Sequence, residues 1–145
     1  MKFKIVIIGF GSIGKKHLKA LISLNGNFRI FILTSQKITK LPKGVERNLT
    51  NINEIFSINP NIALISSPAT THIKYANLLI EKNINLFIEK PIANKVDKSL
   101  LSLINKYKKK NSPIMLIGYQ LRFNNSLKFL KNQLSRKKIG NIISV

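Results

Sequence analysis

The sequence contains no cysteine, and only five acidic residues stand against 25 lysines and arginines. Without cysteine the chain has no disulfide, no thiolate metal site and no cysteine nucleophile, and its redox compartment stays open. No apolar run approaches the roughly 20 residues of a membrane span. Basic residues near the start interleave with strand positions, which is not the pattern of a signal peptide. We therefore expect a cytoplasmic protein with one core and no membrane partner.

The formal net charge of +20 would suit a nucleic-acid partner. The excess is nearly all lysine, however, and it is spread along a chain that is also rich in isoleucine and asparagine, as a general compositional bias would produce. The densest cluster, residues 106–110, ends a helical pattern, where cations suit the helix dipole. The chain shows no stacking-aromatic motif, zinc spacing or helix-turn-helix signal. We therefore predict no nucleic-acid partner.

Strand and helix patterns alternate along the chain. This alternation predicts a Rossmann-like, doubly wound α/β fold, whose mostly parallel sheet carries helices on both faces. Apolar runs predict strands at residues 2–8, 28–34, 62–66, 84–88 and 114–117, with room for a short strand near residue 45. Helical spacing predicts helices that end near residue 22 and that cover 52–56, 72–80, 96–107 and 127–134. Residues 140–145 are predicted to begin a further strand, whose apolar edge needs a partner.

A glycine-rich turn joins the first strand to the first helix. It comprises Gly9, Phe10, Gly11, Ser12, Ile13 and Gly14. In dinucleotide-binding folds the first glycine permits a tight turn, the second lets the backbone approach a pyrophosphate and the third lets the helix pack closely on the strand. The phosphates would meet free N–H groups at the positive end of the helix dipole. A turn that binds nothing is the alternative, but all three glycines fall in register, so we predict that these six residues bind a dinucleotide.

The end of the second strand lies about 20 residues beyond Gly14, where such folds place the acid that binds the adenosine ribose of NAD. Here residues 33–37 read Leu-Thr-Ser-Gln-Lys and contain no acid. A carboxylate would repel a 2′-phosphate, whereas the hydroxyl of Ser35 and the ammonium of Lys37 can bind one. We therefore predict NAD(P) as the cofactor, with a weak preference for NADP.

Four segments carry a resemblance to a known family. They are residues 8–17 (IGFGSIGKKH), 66–72 (SSPATTH), 87–93 (FIEKPIA) and 118–123 (GYQLRF). Together they resemble the N-terminal, cofactor-binding part of the glucose-fructose oxidoreductase, inositol dehydrogenase and MocA-like family (Gfo/Idh/MocA). The Glu-Lys-Pro segment, with Pro-x-x-x-His ahead of it, is far more specific than the glycines. The resemblance implies NAD(P)-dependent oxidation or reduction of an alcohol carbon on a small sugar-like substrate, such as a sugar, cyclitol or nucleotide sugar.

The resemblance implies that Lys90 is the catalytic residue and stands beside the nicotinamide, where it hydrogen-bonds to the reacting hydroxyl or helps to deprotonate it. Burial and a cationic nicotinamide would both disfavour the ammonium form of this side chain. A surface lysine is the alternative, but open α/β sheets bind ligands at the carboxyl ends of strands, where Lys90 is predicted to lie. Glu89 could hold Lys90, contact the cofactor or pair with surplus positive charge. The resemblance also implies a cis Lys90–Pro91 bond, although X–Pro bonds in general are mostly trans.

The resemblance assigns Ser66, Ser67 and Pro68 to a loop beside the nicotinamide ribose. His72, at the start of a helix, is either next to the cofactor or a packed histidine. His17 is expected to pack in the core.

The family's C-terminal α+β domain, with a second catalytic segment and the sheet that shapes the substrate pocket, has no counterpart in this sequence. We therefore predict an NAD(P)-binding domain over residues 1–121, then a connecting helix and the first strand of the absent domain over residues 122–145. Arg122 stands where the family has an arginine near the substrate, and its planar fork would suit an anionic group; a salt-bridging or solvent-facing arginine is the alternative. The chain would be a partial enzyme that oligomerises, if at all, through the absent domain. A non-catalytic dinucleotide-binding protein of the same fold is the other interpretation.

Overall fold

The computed structural model describes residues 2–144, in which strands and helices alternate except that no helix separates the second strand from the third. The strands are β1 (Phe3–Ile8), β2 (Phe28–Leu33), β3 (Val45–Leu49), β4 (Ile62–Ile65), β5 (Asn85–Ile88) and β6 (Met115–Ile117). The α-helices are α1 (Ser12–Ser23), α2 (Ile52–Ile58), α3 (Ala69–Ile80), α4 (Lys98–Tyr107) and α5 (Asn125–Ser135). A 3-10 helix covers Gln120–Phe123. Among residues 2–144, no helix combines the length and the apolar character that crossing a bilayer requires.

The six strands form one parallel sheet in the order β3-β2-β1-β4-β5-β6. The chain extends the sheet from β1 to one side and from β4 to the other, so the predicted doubly wound α/β fold is confirmed. A crevice opens in such a sheet outside the carboxyl ends of the two strands at which the order reverses. In this protein those strands are β1 and β4.

The sheet buries both of its faces. Successive side chains of a strand point to opposite faces, so Val6 and Ile8 of β1 join one apolar cluster while Ile5 and Ile7 join the other. The helices complete the first cluster with Ile55, Leu79 and Leu103 and the second with Leu18. Helices therefore cover both faces of the sheet, as the sequence predicts.

Asparagines set the ends of several helices. Asn25, after α1, and Asn83, after α3, have φ values of +50° and +55°. This left-handed conformation satisfies a helix end, and asparagine tolerates it better than most residues. The side chain of Asn51 begins α2, where it accepts hydrogen bonds from the backbone N–H groups of Asn53 and Glu54.

Two details of the predicted secondary structure are wrong. Val96 does not lie on a helical stripe, because Asp97 caps α4 and the helix begins at Lys98, which leaves Val96 82% exposed. Residues 140–144 do not form a strand, since no strand of the sheet lies beside them to supply hydrogen bonds; Val145 lies outside the described residues. The predicted division of the chain at residue 121 stays a prediction.

Candidate functional site

A cleft of about 710 Å³ opens at the carboxyl ends of β1, β2 and β4. It coincides with the reversal of strand order, and its volume is typical of small-molecule sites. The glycine turn, the end of β2 and the loop after β4 form its walls. Of the predicted cofactor residues, the lining includes Gly9, Phe10, Gly11, Ser12, Ile13, Ser35, Ser66, Ser67 and Pro68.

The three glycines of the turn have different surroundings. Gly9 has φ +89°, and a Cβ built on it would lie 2.4 Å from the backbone nitrogen of Ser67. A Cβ on Gly14 would lie 2.2 Å from the carbonyl oxygen of Gly9. The backbone itself therefore requires glycine at these two positions. Gly11 is different, because a Cβ there would meet no atom within 4 Å, so its backbone is open to the cleft.

Helix α1 directs its N-terminus at this cleft. It begins at Ser12, immediately after Gly11, and has neither an acidic residue in its first turn nor a side-chain cap. The first N–H groups of a helix have no partner within the helix, and they carry the positive end of its dipole. An anionic group in the cleft would therefore find free donors and a favourable potential at this end of α1.

The loop after β4 braces the glycine turn. The hydroxyl of Ser66 donates a hydrogen bond to the carbonyl oxygen of Gly9 at 2.8 Å. The hydroxyl of Thr71 lies 2.8 Å from both the hydroxyl of Ser67 and the carbonyl oxygen of Pro68. The hydrogen bond of Ser66 thus holds this loop against the glycine turn, and the contacts of Thr71 hold the loop to the first turn of α3.

His72 lies beneath this loop and is only 2% exposed. Its Nε2 atom is 2.7 Å from the carbonyl oxygen of Ser67, and its Nδ1 atom is 2.9 Å from that of Pro91. Both partners only accept, so a ring with a single N–H donates to one of them at a time. His72 does not line the cleft. The structure places it as a packed histidine that connects the loop after β4 to the loop after β5.

Glu89 and Lys90 follow β5 at the same edge of the sheet as the glycine turn. The Lys90–Pro91 bond is cis, as the resemblance implies. The Lys90 side chain is exposed, and among residues 2–144 no carboxylate lies within 4.0 Å of its ammonium. These residues therefore do not supply the burial that the sequence argument invoked for Lys90.

Sequence reasoning missed the role of His17 in this part of the molecule. His17 does not join either core cluster; its Nε2 atom lies 2.8 Å from Oε1 of Glu89. The spacing of three residues between Gly14 and His17 could have indicated that His17 faces the sheet. A residue three positions further along a helix lies on nearly the same face, and Gly14 packs against the sheet.

The end of β2 contributes Ser35 and Gln36 to the cleft, whereas Lys37 is exposed and lies outside the lining. Arg122 is exposed on the 3-10 helix after β6 and also lies outside it. The lining contains no acidic residue and includes Lys74 of α3, which sequence reasoning did not single out. No group of three His, Asp or Glu side chains among the described residues is arranged to bind a metal. Lys74 and the free N–H groups at the start of α1 make the cleft favourable for an anionic ligand.

Comparison with known proteins bears on what this cleft binds. Residues 3–117 match the model of the Gfo/Idh/MocA family, described as an oxidoreductase family with an NAD-binding Rossmann fold. The matched range includes the glycine turn, the loop after β4 and the Glu89–Lys90 segment. The chain belongs to the Gfo/Idh/MocA oxidoreductase family.

Solved dehydrogenases share this fold. The chain is similar to myo-inositol 2-dehydrogenase from Lactobacillus plantarum, with a TM-score of 0.88 and 21% identity over 99% of this chain and 44% of that one. It is also similar to scyllo-inositol dehydrogenase from Lactobacillus casei, solved with NAD(H) and scyllo-inositol, with a TM-score of 0.75 and 20% identity over 98% of this chain and 43% of that one. The WlbA dehydrogenase from Chromobacterium violaceum, in complex with NADH and UDP-GlcNAcA, has a TM-score of 0.80 and 19% identity over 96% of this chain and 41% of its own. The chain thus spans less than half the length of these Gfo/Idh/MocA-like neighbours.

Proposed function

We propose that this chain binds NAD(P) as the cofactor domain of a Gfo/Idh/MocA oxidoreductase that transfers hydride to or from an alcohol carbon of a sugar-like molecule. The observation that carries the proposal is the open backbone at Gly11, at the N-terminus of α1 and at the switch point of the sheet. Open α/β sheets bind dinucleotides across this crevice, with the pyrophosphate at the helix N-terminus. The proposal includes the cytoplasmic location that we expect from the sequence.

The order of the strands divides the site into two halves. The adenosine half of the cofactor would lie over β1 and β2, where Ser35 and Gln36 line the cleft. The nicotinamide half would lie over β4 and β5, close to Ser67 and to the Glu89–Lys90 segment. This division follows from the two mononucleotide-binding halves of a doubly wound sheet, which meet at the switch point.

Lys90 is the residue that we assign to proton transfer. A bound nicotinamide would supply the hydride acceptor or donor, and the protein has to hold or move the hydroxyl proton of the substrate. Lys90 has no carboxylate partner among residues 2–144, so its side chain is available to a substrate hydroxyl. A positioned lysine can act as the general acid or base for such a proton.

The cofactor preference that we propose is a weak one for NADPH. The cleft has no carboxylate to repel a 2′-phosphate, and Ser35 lies at the end of β2, where the adenosine ribose would be held. Lys37 follows on the exposed surface, from which its flexible side chain can approach the same position. Each of these contacts is exposed to solvent and therefore weak.

The neighbours' complexes suggest the class of substrate. Because scyllo-inositol and UDP-GlcNAcA are held by proteins more than twice as long as the aligned region, we place the groups that position the substrate outside these 145 residues. The exposure of Lys90 and Arg122 is consistent with a further domain or partner completing the pocket. The second candidate function is a dinucleotide-binding protein that does not turn over substrate. The exposure of Lys90 and Arg122 favours it, because neither side chain lies in a closed pocket.

The test of the proposal is a calorimetric titration of the 145-residue chain with NADH, NADPH and ADP-ribose at one ionic strength. ADP-ribose keeps the pyrophosphate and the adenosine half but lacks the nicotinamide. We expect saturable binding of all three ligands at one site. Matched salt is essential, because a protein with a net charge of +20 attracts any extra phosphate. If ADP-ribose did not bind, or if its binding disappeared at physiological ionic strength, the proposal would be wrong.

A further inference from the structure

Both carboxylate oxygens of Glu89 are held by hydrogen bonds. Oε1 lies 2.8 Å from Nε2 of His17, and Oε2 accepts from the backbone N–H of Lys90 at 3.2 Å. The side chains of His17 and Glu89 are only 22% and 14% exposed, so water competes weakly for the contact. The carboxylate of Glu89 therefore connects helix α1 to the backbone of the next residue in the chain, Lys90.

Packing fixes the same pair from two further sides. The ring of Phe87, on β5, meets the ring of His17 edge to face, with centroids 5.3 Å apart. At Gly118, just after β6, an added Cβ would lie 3.1 Å from the Phe87 ring and 3.3 Å from Oε1 of Glu89. Phe87 of β5 and Gly118 after β6 thus lie beside the contact between His17 and Glu89.

The contact between His17 and Glu89 joins two parts of the proposed cofactor site. Gly14 lies one turn earlier on the same helix, and the helix N-terminus is where the pyrophosphate would bind. Glu89 lies at the end of β5, on the nicotinamide side of the sheet. The pair therefore spans from the element that holds the phosphates to the segment that carries Lys90.

We infer that His17 is a positioning residue, which holds Glu89 and through it the Lys90 segment in the place that the nicotinamide half of the cofactor requires. The inference deepens the proposed function and rests on it. His17 donates from Nε2 both as the neutral Nε2–H tautomer and as imidazolium, and the carboxylate only accepts, so the bond does not depend on one protonation state. Loss of this donor would release the carboxylate on the nicotinamide side and leave the adenosine side of the cleft unchanged.

The test uses four single substitutions in the 145-residue chain, one of which, Glu89→Leu, removes the carboxylate that contacts His17. His17→Phe keeps an aromatic ring against Phe87 but removes the donor. His17→Gln removes the ring but restores an N–H at a similar distance from the backbone. Ala20→Leu, at an exposed position of the same helix, is the matched control. Each variant is titrated with NADH and with ADP-ribose, and the nicotinamide emission of bound NADH is recorded at saturation.

We expect His17→Phe to weaken NADH binding at least about tenfold, as loss of a hydrogen bond to a charged group does, and to change ADP-ribose affinity less than about twofold. His17→Gln should recover NADH affinity and the emission of the bound nicotinamide, and Ala20→Leu should behave as the unaltered chain. Glu89→Leu should reproduce the loss, and combining it with His17→Phe should add little.

The results separate this inference from the proposed function. Failure of ADP-ribose to bind the unaltered chain would overturn the dinucleotide site itself. If ADP-ribose binds, then equal affinities for NADH and ADP-ribose, an unchanged NADH affinity in His17→Phe, or equal losses for both ligands would overturn the role of His17. If His17→Phe kept the affinity for NADH while His17→Gln lost it, only the packing of the ring on Phe87 would matter, and the role of the donor would be wrong.

Discussion

Replacement of Gly11 by valine separates binding from folding. A Cβ at this position meets no atom within 4 Å, and the backbone angles of −72° and −161° are open to any residue. Valine is a poorer residue than glycine at a helix N-cap, but it also lowers the entropy of the unfolded chain, and each effect amounts to about 1 kcal/mol or less. We therefore expect the free energy of unfolding to change by no more than about 1 kcal/mol.

The loss of binding should be far larger. The branched side chain would occupy the space between the backbone of Gly11 and the pyrophosphate, and so separate the phosphates from the N–H groups at the start of α1. Two charge-assisted hydrogen bonds at about 1.5–3 kcal/mol each correspond to roughly 3–6 kcal/mol. Since about 1.4 kcal/mol is a factor of ten, the affinity for NADH should fall at least about 100-fold.

The assay pairs thermal unfolding, followed by circular dichroism, with calorimetric titration of NADH and ADP-ribose. Gly14→Ala is the contrasting variant, because its Cβ would lie 2.2 Å from the carbonyl oxygen of Gly9 and the helix would have to move away from the turn. That variant should lose about 1–3 kcal/mol of stability, the usual effect of overpacking. A folded Gly11→Val chain that binds both ligands with unchanged affinity would refute the assignment of the turn to the pyrophosphate.

Three further predictions concern pH, cofactor choice and turnover. Hydrogen bonds from the backbone N–H of Leu100, and to a smaller extent from that of Ser99, lower the pKa of Asp97 from 3.8. The ionised Asp97 cap therefore stabilises the fold above pH 3.8, and this stabilisation is lost as the pH falls through the lowered pKa. The melting temperature of Asp97→Ala should therefore lie below that of the unaltered chain at neutral pH, and the gap should narrow as the pH falls below 3.8 and through the lowered pKa; a gap that stays constant over this fall would contradict the prediction. NADPH should bind about two- to fivefold more tightly than NADH at matched salt, as one exposed charge pair allows, and tighter NADH would reject the roles of Ser35 and Lys37. The chain alone should not oxidise sugars, cyclitols or nucleotide sugars at an enzymatic rate, because we place the groups that position the alcohol carbon outside it and positioning supplies roughly 7–11 kcal/mol of barrier reduction. The assay compares the chain with a version that carries a C-terminal domain from a related enzyme. Robust turnover by the chain alone would show that Lys90 does not need that domain.

The sequence alone determined the features that depend on neighbouring residues. Apolar runs and helical spacing located the strands and most helices, since burial of one face imposes those periods. Gly9 and Gly14 were predictable because a tight strand-to-helix turn excludes a Cβ. Asn25 and Asn83 were predictable as helix ends, because asparagine accepts the left-handed conformation. The error at Val96 has the same local basis: its apolar side chain fits the stripe, but Asp97 provides the stronger signal for a helix start.

Only the tertiary structure decided which distant side chains meet. His17 and Glu89 are 72 residues apart in sequence, and they touch because the strand order brings the carboxyl end of β5 beside α1. His72 likewise reaches Pro91 across 19 residues, which decides that it packs beneath the loops. The exposure of Lys90 also follows from what surrounds the end of β5, and no spacing in the sequence encodes it. Periodicity reports which face of an element is buried, whereas the contents of the site depend on how the elements are ordered in the sheet.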